Sequence, residues 1–332
     1  MCKGEPVPVT TYDIAQKLGL SQSTVSRILN GAQGYRVAEN TRLRVLDEAR
    51  RIGYRPNSIA RSLRNQRTNI VGFYSGYGYL NARNAYIASV IGGLQQACDA
   101  EALDILLHGA FRQRTTDEVF GELVDRRIDG LFLHTLATDP LVELLVESSL
   151  PVVAISDALP GLASVVTDDQ DGIRQTVEHL FARGHRRIAY LAPEPRFVSV
   201  ENRVAAFLCE MHTRGEGDAR VIRSRGVELD MLPNLLKMAG SPTAICCWND
   251  LTAANLLVSC REFGIRVPTD LAIVGFDGVL DSRLMAQVLT TIVVPWDVLG
   301  QQAVALLMAQ IRGDKVPRES CVPVRLVPGE TT

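Results

Sequence analysis

Residues 9–31 read VTTYDIAQKLGLSQSTVSRILNG, and this stretch decides how the amino-terminal part folds. Ile14, Ala15 and Leu18 share one face of a first predicted helix. Gly19 suits its end, where a left-handed backbone is common. Ser21 suits the N-cap of a second helix. In that helix Val25, Ile28 and Leu29 recur at helical spacing as a core face. Ser23, Ser26, Arg27 and Asn30 take another face, with Gln22 beside them at the helix start. A third predicted helix turns Val45, Leu46, Ala49 and Ile52 inward and stops at Gly53.

Two short helices joined by a tight turn and closed by a third have the pattern of a helix-turn-helix, whose second helix enters the major groove of DNA. The polar face of that second helix supports the reading. A merely solvated face favours Lys and Glu, which suit helices well. This face carries Gln, Ser, Ser, Arg and Asn, which hydrogen-bond bases and phosphates. Gln22, Ser23 and Arg27 are the expected base readers, because Gln pairs bidentately with adenine and Arg with guanine. Ser21, Thr24, Ser26 and Asn30 are the expected contacts to the DNA backbone.

The charge distribution agrees. Residues 1–67 hold 12 Lys and Arg against 5 Asp and Glu, a net of +7, whereas the remainder holds 23 against 32, a net of −9. A basic segment attached to an acidic body implies a polyanionic partner for that segment alone. Residues 57–66, NSIARSLRNQ, read as a short helix between two domains. It is too short to be stable alone in water. Ile59, Ala60 and Leu63 form its apolar stripe, with Arg61 and Arg64 facing elsewhere. An apolar residue between arginines suits a minor-groove wedge; a plain linker helix is the alternative.

With VTTYDIA, LSQSTVSRILNG, TRLRVLDEARRIGYRPNSIARSLR, GHRRIAYL, WNDLTA, VGFDG and LTTI in view, the chain resembles the lactose-repressor (LacI/GalR) family of bacterial regulators over nearly its whole length. The resemblance implies a helix-turn-helix head (1–56), a hinge helix (57–67) and an effector-binding and dimerisation domain (68–332). It implies that Ala60, Leu63 and Arg64 meet the minor groove, with Leu63 inserted at the centre of a palindromic operator. Two departures stand out. The third helix follows Val37-Ala38 where the family commonly has Val-Ser, so a Ser N-cap is missing. The preceding stretch GAQGYR, residues 31–36, is also unusual.

Beyond residue 67, apolar runs such as NIVGFY, LDILLH, DGLFLH, PVVAIS, RIAYLA, TAICCW and LAIVGF alternate with amphipathic segments. Helices are expected over 86–100, 116–127, 140–148, 171–183, 201–213, 250–263 and 297–312. This alternation predicts an α/β fold with parallel sheets. The resemblance specifies a periplasmic-binding-protein-like core of two subdomains, one comprising about 68–166 and 295–322, the other about 167–294 and 323–332. Ligands of open α/β sheets sit beyond the carboxyl ends of the strands. That rule and the resemblance select Tyr86, Asp168, Phe197, Arg203, Trp248, Asn249 and Asp250 as effector contacts, with Arg203 expected to begin a helix. Carboxylates, an arginine and aromatics suit a sugar or sugar derivative; a nucleobase stacked on an aromatic is the second reading. His108 and His134 end two strands and stay outside the main set; His185 reads as structural. Residues 75–86, SGYGYLNARNAY, are longer and more aromatic than is usual in the family at that cleft wall.

Several classes are disfavoured. There is no GxSxG, phosphate-binding glycine loop or metal-ligand spacing, so neither an enzyme nor a bound cofactor or metal is expected. The seven cysteines lack a CxxC and read as buried reduced thiols of a cytoplasmic protein. No signal peptide is evident, and no apolar run approaches ~18–20 residues, so no membrane span is expected. A solute-binding protein of a transport system would share the core but have no use for residues 9–66. The expectation is a transcriptional regulator, most simply a repressor, that binds double-stranded operator DNA as a homodimer. The ending PVRLVPGETT has no heptad tail, so dimers are expected rather than tail-linked tetramers.

Overall fold

Three helices build the amino-terminal unit: α1 (Thr11–Leu18), α2 (Gln22–Leu29) and α3 (Glu39–Arg51). The structure is a computed structural model. It describes residues 9–30, 35–55, 67–76, 84–109, 114–215, 217–224, 231–280 and 286–332. The expected hinge helix, with Ala60, Leu63 and Arg64, lies outside the described residues, as does most of the loop 75–86. The chain separates into two compact units, Met1–Thr68 and Asn69–Thr332.

Local chemistry sets the helix ends of the head. The Thr10 N–H and hydroxyl both donate to the Asp13 carboxylate, at 2.7 and 2.8 Å, which fixes the start of α1. Gly19 ends it at φ 66°, a conformation glycine adopts without strain. The Ser21 hydroxyl accepts the Thr24 N–H at 3.1 Å and caps α2. Ala38 precedes α3 and offers no side-chain cap. Ile14, Ala15, Val25, Ile28, Val45 and Ala49 form the buried core, with Tyr35 packed at its edge. The sequence pattern missed Glu48. It lies buried on α3 between Lys17 at 3.0 Å and Arg51 at 2.7 Å, tying α1 to α3.

The second unit contains two six-stranded sheets of matching topology. The first lobe has β1 (Ile70–Ser75), β2 (Asp104–His108), β3 (Gly130–His134), β4 (Val152–Ser156), β5 (Ala163–Thr167) and β11 (Glu319–Val322), in the order β11-β5-β4-β3-β1-β2. The second has β6 (Arg187–Pro193), β7 (Asp218–Ser224), β8 (Ala244–Cys247), β9 (Ala272–Asp277), β10 (Thr290–Val293) and β12 (Arg325–Val327), in the order β12-β10-β9-β8-β6-β7. All pairings are parallel except β10 with β12. Helices α4 (Ala85–Ala100), α5 (Thr116–Leu123), α6 (Pro140–Glu147) and α11 (Trp296–Arg312) cover the first sheet. Helices α7 (Asp169–Ala182), α8 (Val198–Arg214), α9 (Met231–Lys237) and α10 (Asp250–Glu262) belong to the second. The chain passes between lobes after β5, after β10 and after β11.

The inner strands β3, β4 and β9 are buried along their whole length, which is why they read as unbroken apolar runs. Edge strand β7 is half-exposed and mixed in polarity, so its sequence, DARVIRS, gave no such signal. Helix α9 also went unforeseen. Helix α5 stops at Leu123 rather than 127: Arg126 takes φ 67°, and Arg127 donates to the Glu122 carbonyl and so satisfies the free end. Helix α8 starts at Val198, three residues before the expected start, so Arg203 sits in its second turn. Cys98, Cys246, Cys247 and Cys260 are buried free thiols, but Cys209 and Cys321 are exposed, contrary to expectation.

One backbone contact places the cavity wall. Helices α4 and α11 cross at Gly93 and Gly300. A Cβ on Gly93 would lie 2.0 Å from the Trp296 carbonyl oxygen, and one on Gly300 2.2 Å from that of Gly93. The absence of both side chains lets the helices touch, which sets their first turns, bearing Tyr86 and Trp296, side by side.

Candidate functional site

Two surfaces gather the candidate residues. The first is the outer face of α2. Gln22, Ser23 and Arg27 are exposed there. The Gln22 amide donates to Thr11 Oγ1 at 3.1 Å, and Ser23 Oγ lies 2.9 Å from Ser21 Oγ. The other polar residues are more engaged. Thr24 Oγ1 bonds Ser21 Oγ at 2.8 Å and Tyr35 OH at 3.2 Å. The Asn30 amide folds back onto the Ser26 carbonyl at 2.6 Å. Tyr35 was missed by the sequence reading, which saw only that its loop was unusual. Its ring lies under the Arg27 guanidinium, 5.1 Å from centroid to Cζ.

The second is a cavity of about 330 Å³ between the lobes of the core, at the carboxyl ends of the strands. Five of the seven expected contacts line it: Tyr86, Phe197, Arg203, Trp248 and Asn249. The other two, Asp168 and Asp250, do not. Asp168 is the N-cap of α7, its Oδ1 accepting the Asp171 N–H at 2.9 Å, and it faces a separate cavity of about 520 Å³ alongside Cys209 and Cys321. Asp250 is fully enclosed, because Gly275 leaves room for its carboxylate. It accepts the Thr291 hydroxyl and the Val279 N–H, and so anchors the loop after β9. Burial raises its pKa to about 6.

The neighbour of Asp168 does the work nearest the cavity. Asp169 accepts Arg203 Nε at 2.7 Å and the Thr167 hydroxyl at 3.0 Å. Arg203 Nη1 donates to the Trp248 carbonyl at 2.9 Å, and its guanidinium lies 3.5 Å over the Phe276 ring. This ion pair is buried on both sides, so Arg203 is held rigidly at the cavity floor.

Two carboxylates that the sequence reading passed over complete the lining, Asp157 and Asp277. Burial raises both pKa values, against the pull of the Ser199 N–H and Arg203 for Asp157 and of Arg203 for Asp277. Asp277 is 5 % exposed and has φ 109°, a costly conformation for a residue with a side chain. Ser156 occupies the same position at the end of β4 and has φ 70°. Strained residues thus end corresponding strands of the two sheets, both at the cavity. The sequence signal for Asp277 was the VGFDG run, a strand end carrying a carboxylate.

Aromatic rings supply the remaining wall. The Tyr86 hydroxyl donates to Ser156 Oγ at 2.7 Å, and its ring meets Trp296 edge-on at 5.4 Å. His134, Phe197 and Trp248 form a nearly parallel row with centroids 6.2 Å apart in each step. Burial lowers the His134 pKa to about 4, so the imidazole is neutral at pH 7. Among the described residues no cluster of His, Cys, Asp and Glu could hold a metal ion, and no helix is long and apolar enough to cross a membrane.

Comparison with known proteins finds relatives for both parts of the chain. Residues 10–57 match "Bacterial regulatory proteins, lacI family", and residues 177–332 match "Periplasmic binding protein-like domain". The lactose operon repressor of Escherichia coli (strain K12) is 28% identical over 98% of this chain and 91% of its own length. Catabolite control protein A of Priestia megaterium is 28% identical over 93% and 94%. The crystal structure of the lac repressor dimer bound to operator and the anti-inducer ONPF superposes with a TM-score of 0.84 at 26% identity, covering 98% of this chain and 99% of that one. With a helix-turn-helix unit matching one part of that architecture and a two-lobed parallel-sheet core matching the other, this chain carries a LacI-family DNA-binding domain and a periplasmic-binding-protein-like domain and is a DNA-binding transcriptional regulator.

Proposed function

We propose that the protein is a repressor that binds a two-fold-symmetric operator as a homodimer, and that a neutral polyhydroxylated ligand, a sugar or sugar derivative, occupies the interlobe cavity and sets its affinity for DNA. The lac repressor, described as an operator-bound dimer, supports the assembly by likeness. Two-fold protein symmetry then requires matched half-sites. Gln22, Ser23 and Arg27 read bases; Ser21, Thr24, Ser26 and Asn30 face the DNA backbone; Ala60, Leu63 and Arg64 meet the minor groove.

The observation that carries the ligand class is Asp277. A carboxylate buried this deeply is ordinarily hydrogen-bonded, and Asp277 lines the cavity, where the hydroxyls of a ligand can reach it. A carboxyl group accepts from hydroxyls when ionised, and both donates and accepts when protonated. With Asp157 across the cavity and Asn249 and Arg203 beside it, the site offers acceptors and a few donors, the complement of a ring of hydroxyls. Trp296, Tyr86 and Trp248 offer flat apolar faces to the ring carbons. A ligand bridging the lobes interacts with each and shifts the balance between DNA-competent and DNA-incompetent arrangements through its unequal affinity for the two.

Both tryptophans of the chain line this cavity, so their fluorescence reports its occupancy. Titration with a panel of monosaccharides, glycosides, sugar phosphates and nucleobases tests the reading. A saturable change with a neutral sugar or glycoside supports it. Saturation by sugar phosphates or nucleobases alone contradicts it.

A further inference from the structure

Tyr35 touches the DNA-reading helix at two places and belongs to neither α2 nor α3. Its ring packs at the edge of the head's core. Its hydroxyl bonds Thr24 Oγ1 at 3.2 Å, and Thr24 in turn bonds Ser21, the N-cap of α2, at 2.8 Å. Its face lies under the Arg27 guanidinium. Thr24 and Arg27 are three residues apart on one helix, so they are neighbours on its surface. Tyr35 spans them: one end is fixed to the helix start, and the middle supports the arginine.

An exposed arginine on a helix has many rotamers and serves equally well as a phosphate contact or a base contact. To discriminate, its planar fork must be presented edge-on to the guanine N7 and O6. An aromatic ring against the guanidinium occupies the π-face and leaves the edge donors free. We infer that Tyr35 is a specificity-determining residue of the DNA interface, holding Arg27 in the pose from which it reads its base. This rests on the assignment of Arg27 as a base reader. Tyr35 acts through Arg27, as a positioning residue.

The test uses the full-length chain. A duplex is selected from a randomised two-fold-symmetric library, and a set is made in which each base pair of the half-site is replaced in turn. Fluorescence anisotropy at one fixed salt concentration then compares the parent with Arg27→Ala, Tyr35→Leu and Tyr35→Phe. The leucine keeps apolar bulk on the core without a π-face. The phenylalanine keeps the ring and loses only the Thr24 bond. Arg27→Ala is expected to flatten discrimination at one base pair. Tyr35→Leu is expected to reduce discrimination at that same base pair by about two- to five-fold, as expected for an exposed cation–π contact, leaving other positions and the random duplex unchanged. Tyr35→Phe is expected to retain most of the discrimination. If Arg27→Ala shows the base-specific loss and Tyr35→Leu either matches the parent or weakens every duplex alike, the role of Tyr35 is overturned while the base-reading assignment stands. If Arg27→Ala weakens all duplexes equally, the assignment fails and the role of Tyr35 with it.

Discussion

The Asp157 carboxylate, one residue past β4 in the first lobe, accepts the backbone N–H of Ser199 in the first turn of α8 in the second lobe, at 2.7 Å. The N-cap of that helix, Phe197, has no side-chain acceptor to offer. One bond therefore caps a helix and ties the two cavity walls together. Asp157→Ala is expected to cost about 0.5–2 kcal/mol, the usual loss for an N-cap, and to speed amide exchange over residues 198–201. Unchanged exchange there, measured by mass spectrometry, would show that the bond does not hold the helix start.

Asp277→Asn separates stability from ligand binding. Asparagine tolerates positive φ and removes a buried ionisable group. The raised pKa of Asp277 means that the folded state holds its proton more tightly than the unfolded state. Stability from this group is full below the unfolded value near 3.8 and declines as pH rises through the folded value. The variant is therefore expected to match the parent below about pH 4, to melt higher at pH 7, and to lose most of its ligand affinity. Thermal melts at both pH values check this; a lower melting temperature at pH 7 would mean that Asp277 supports the fold.

Much of this was legible in the sequence, and what escaped was non-local. The caps and core of the head follow from neighbouring residues, so Ser21, Gly19 and the Val25–Ile28 face could be read directly. The start of α8 could not, since its acceptor comes from Asp157, 42 residues away. The same holds at the cavity. Tyr86, Phe197 and Trp248 follow strands as the topology requires. At Asp168-Asp169 and at Asp250, local sequence could not show which carboxylate holds Arg203 and which is turned to a cap or a loop. Asp277 was obscured by its place inside an apolar run, whose burial is also what makes the carboxylate unusual.

Arg203 is structural as well as exposed to the cavity. Arg203→Ala leaves Asp169 buried without its partner, so a loss of about 3–5 kcal/mol is expected. That is too large for the substitution to serve as a clean ligand-site variant. Urea denaturation checks it, and a loss under about 1 kcal/mol would place the pair in a better-solvated setting than its burial implies.

The head has its own acid sensitivity. Hydrogen bonding to Arg51, with Lys17 adding to it, lowers the Glu48 pKa to about 2. A depressed carboxylate contributes stability above its unfolded value near 4.5 that is lost as pH falls toward 2. Glu48→Gln is expected to melt lower than the parent at pH 7 and to converge with it near pH 2. A constant difference across that range, followed by circular dichroism of the helical signal, would assign the effect to packing instead.

Control of DNA binding from the interlobe cavity is tested most directly by one titration. The selected operator duplex is titrated with parent and Asp277→Asn, each with and without a saturating concentration of the sugar that changes tryptophan fluorescence. For the parent, the operator Kd is expected to shift by about 5- to 150-fold, the usual range of allosteric coupling, with the random duplex affected far less. For Asp277→Asn the operator Kd without sugar is expected to match the parent, and the shift to vanish at the same sugar concentration. An equal shift in both proteins would place the controlling site outside this cavity, and no shift in the parent would contradict ligand control of DNA binding altogether.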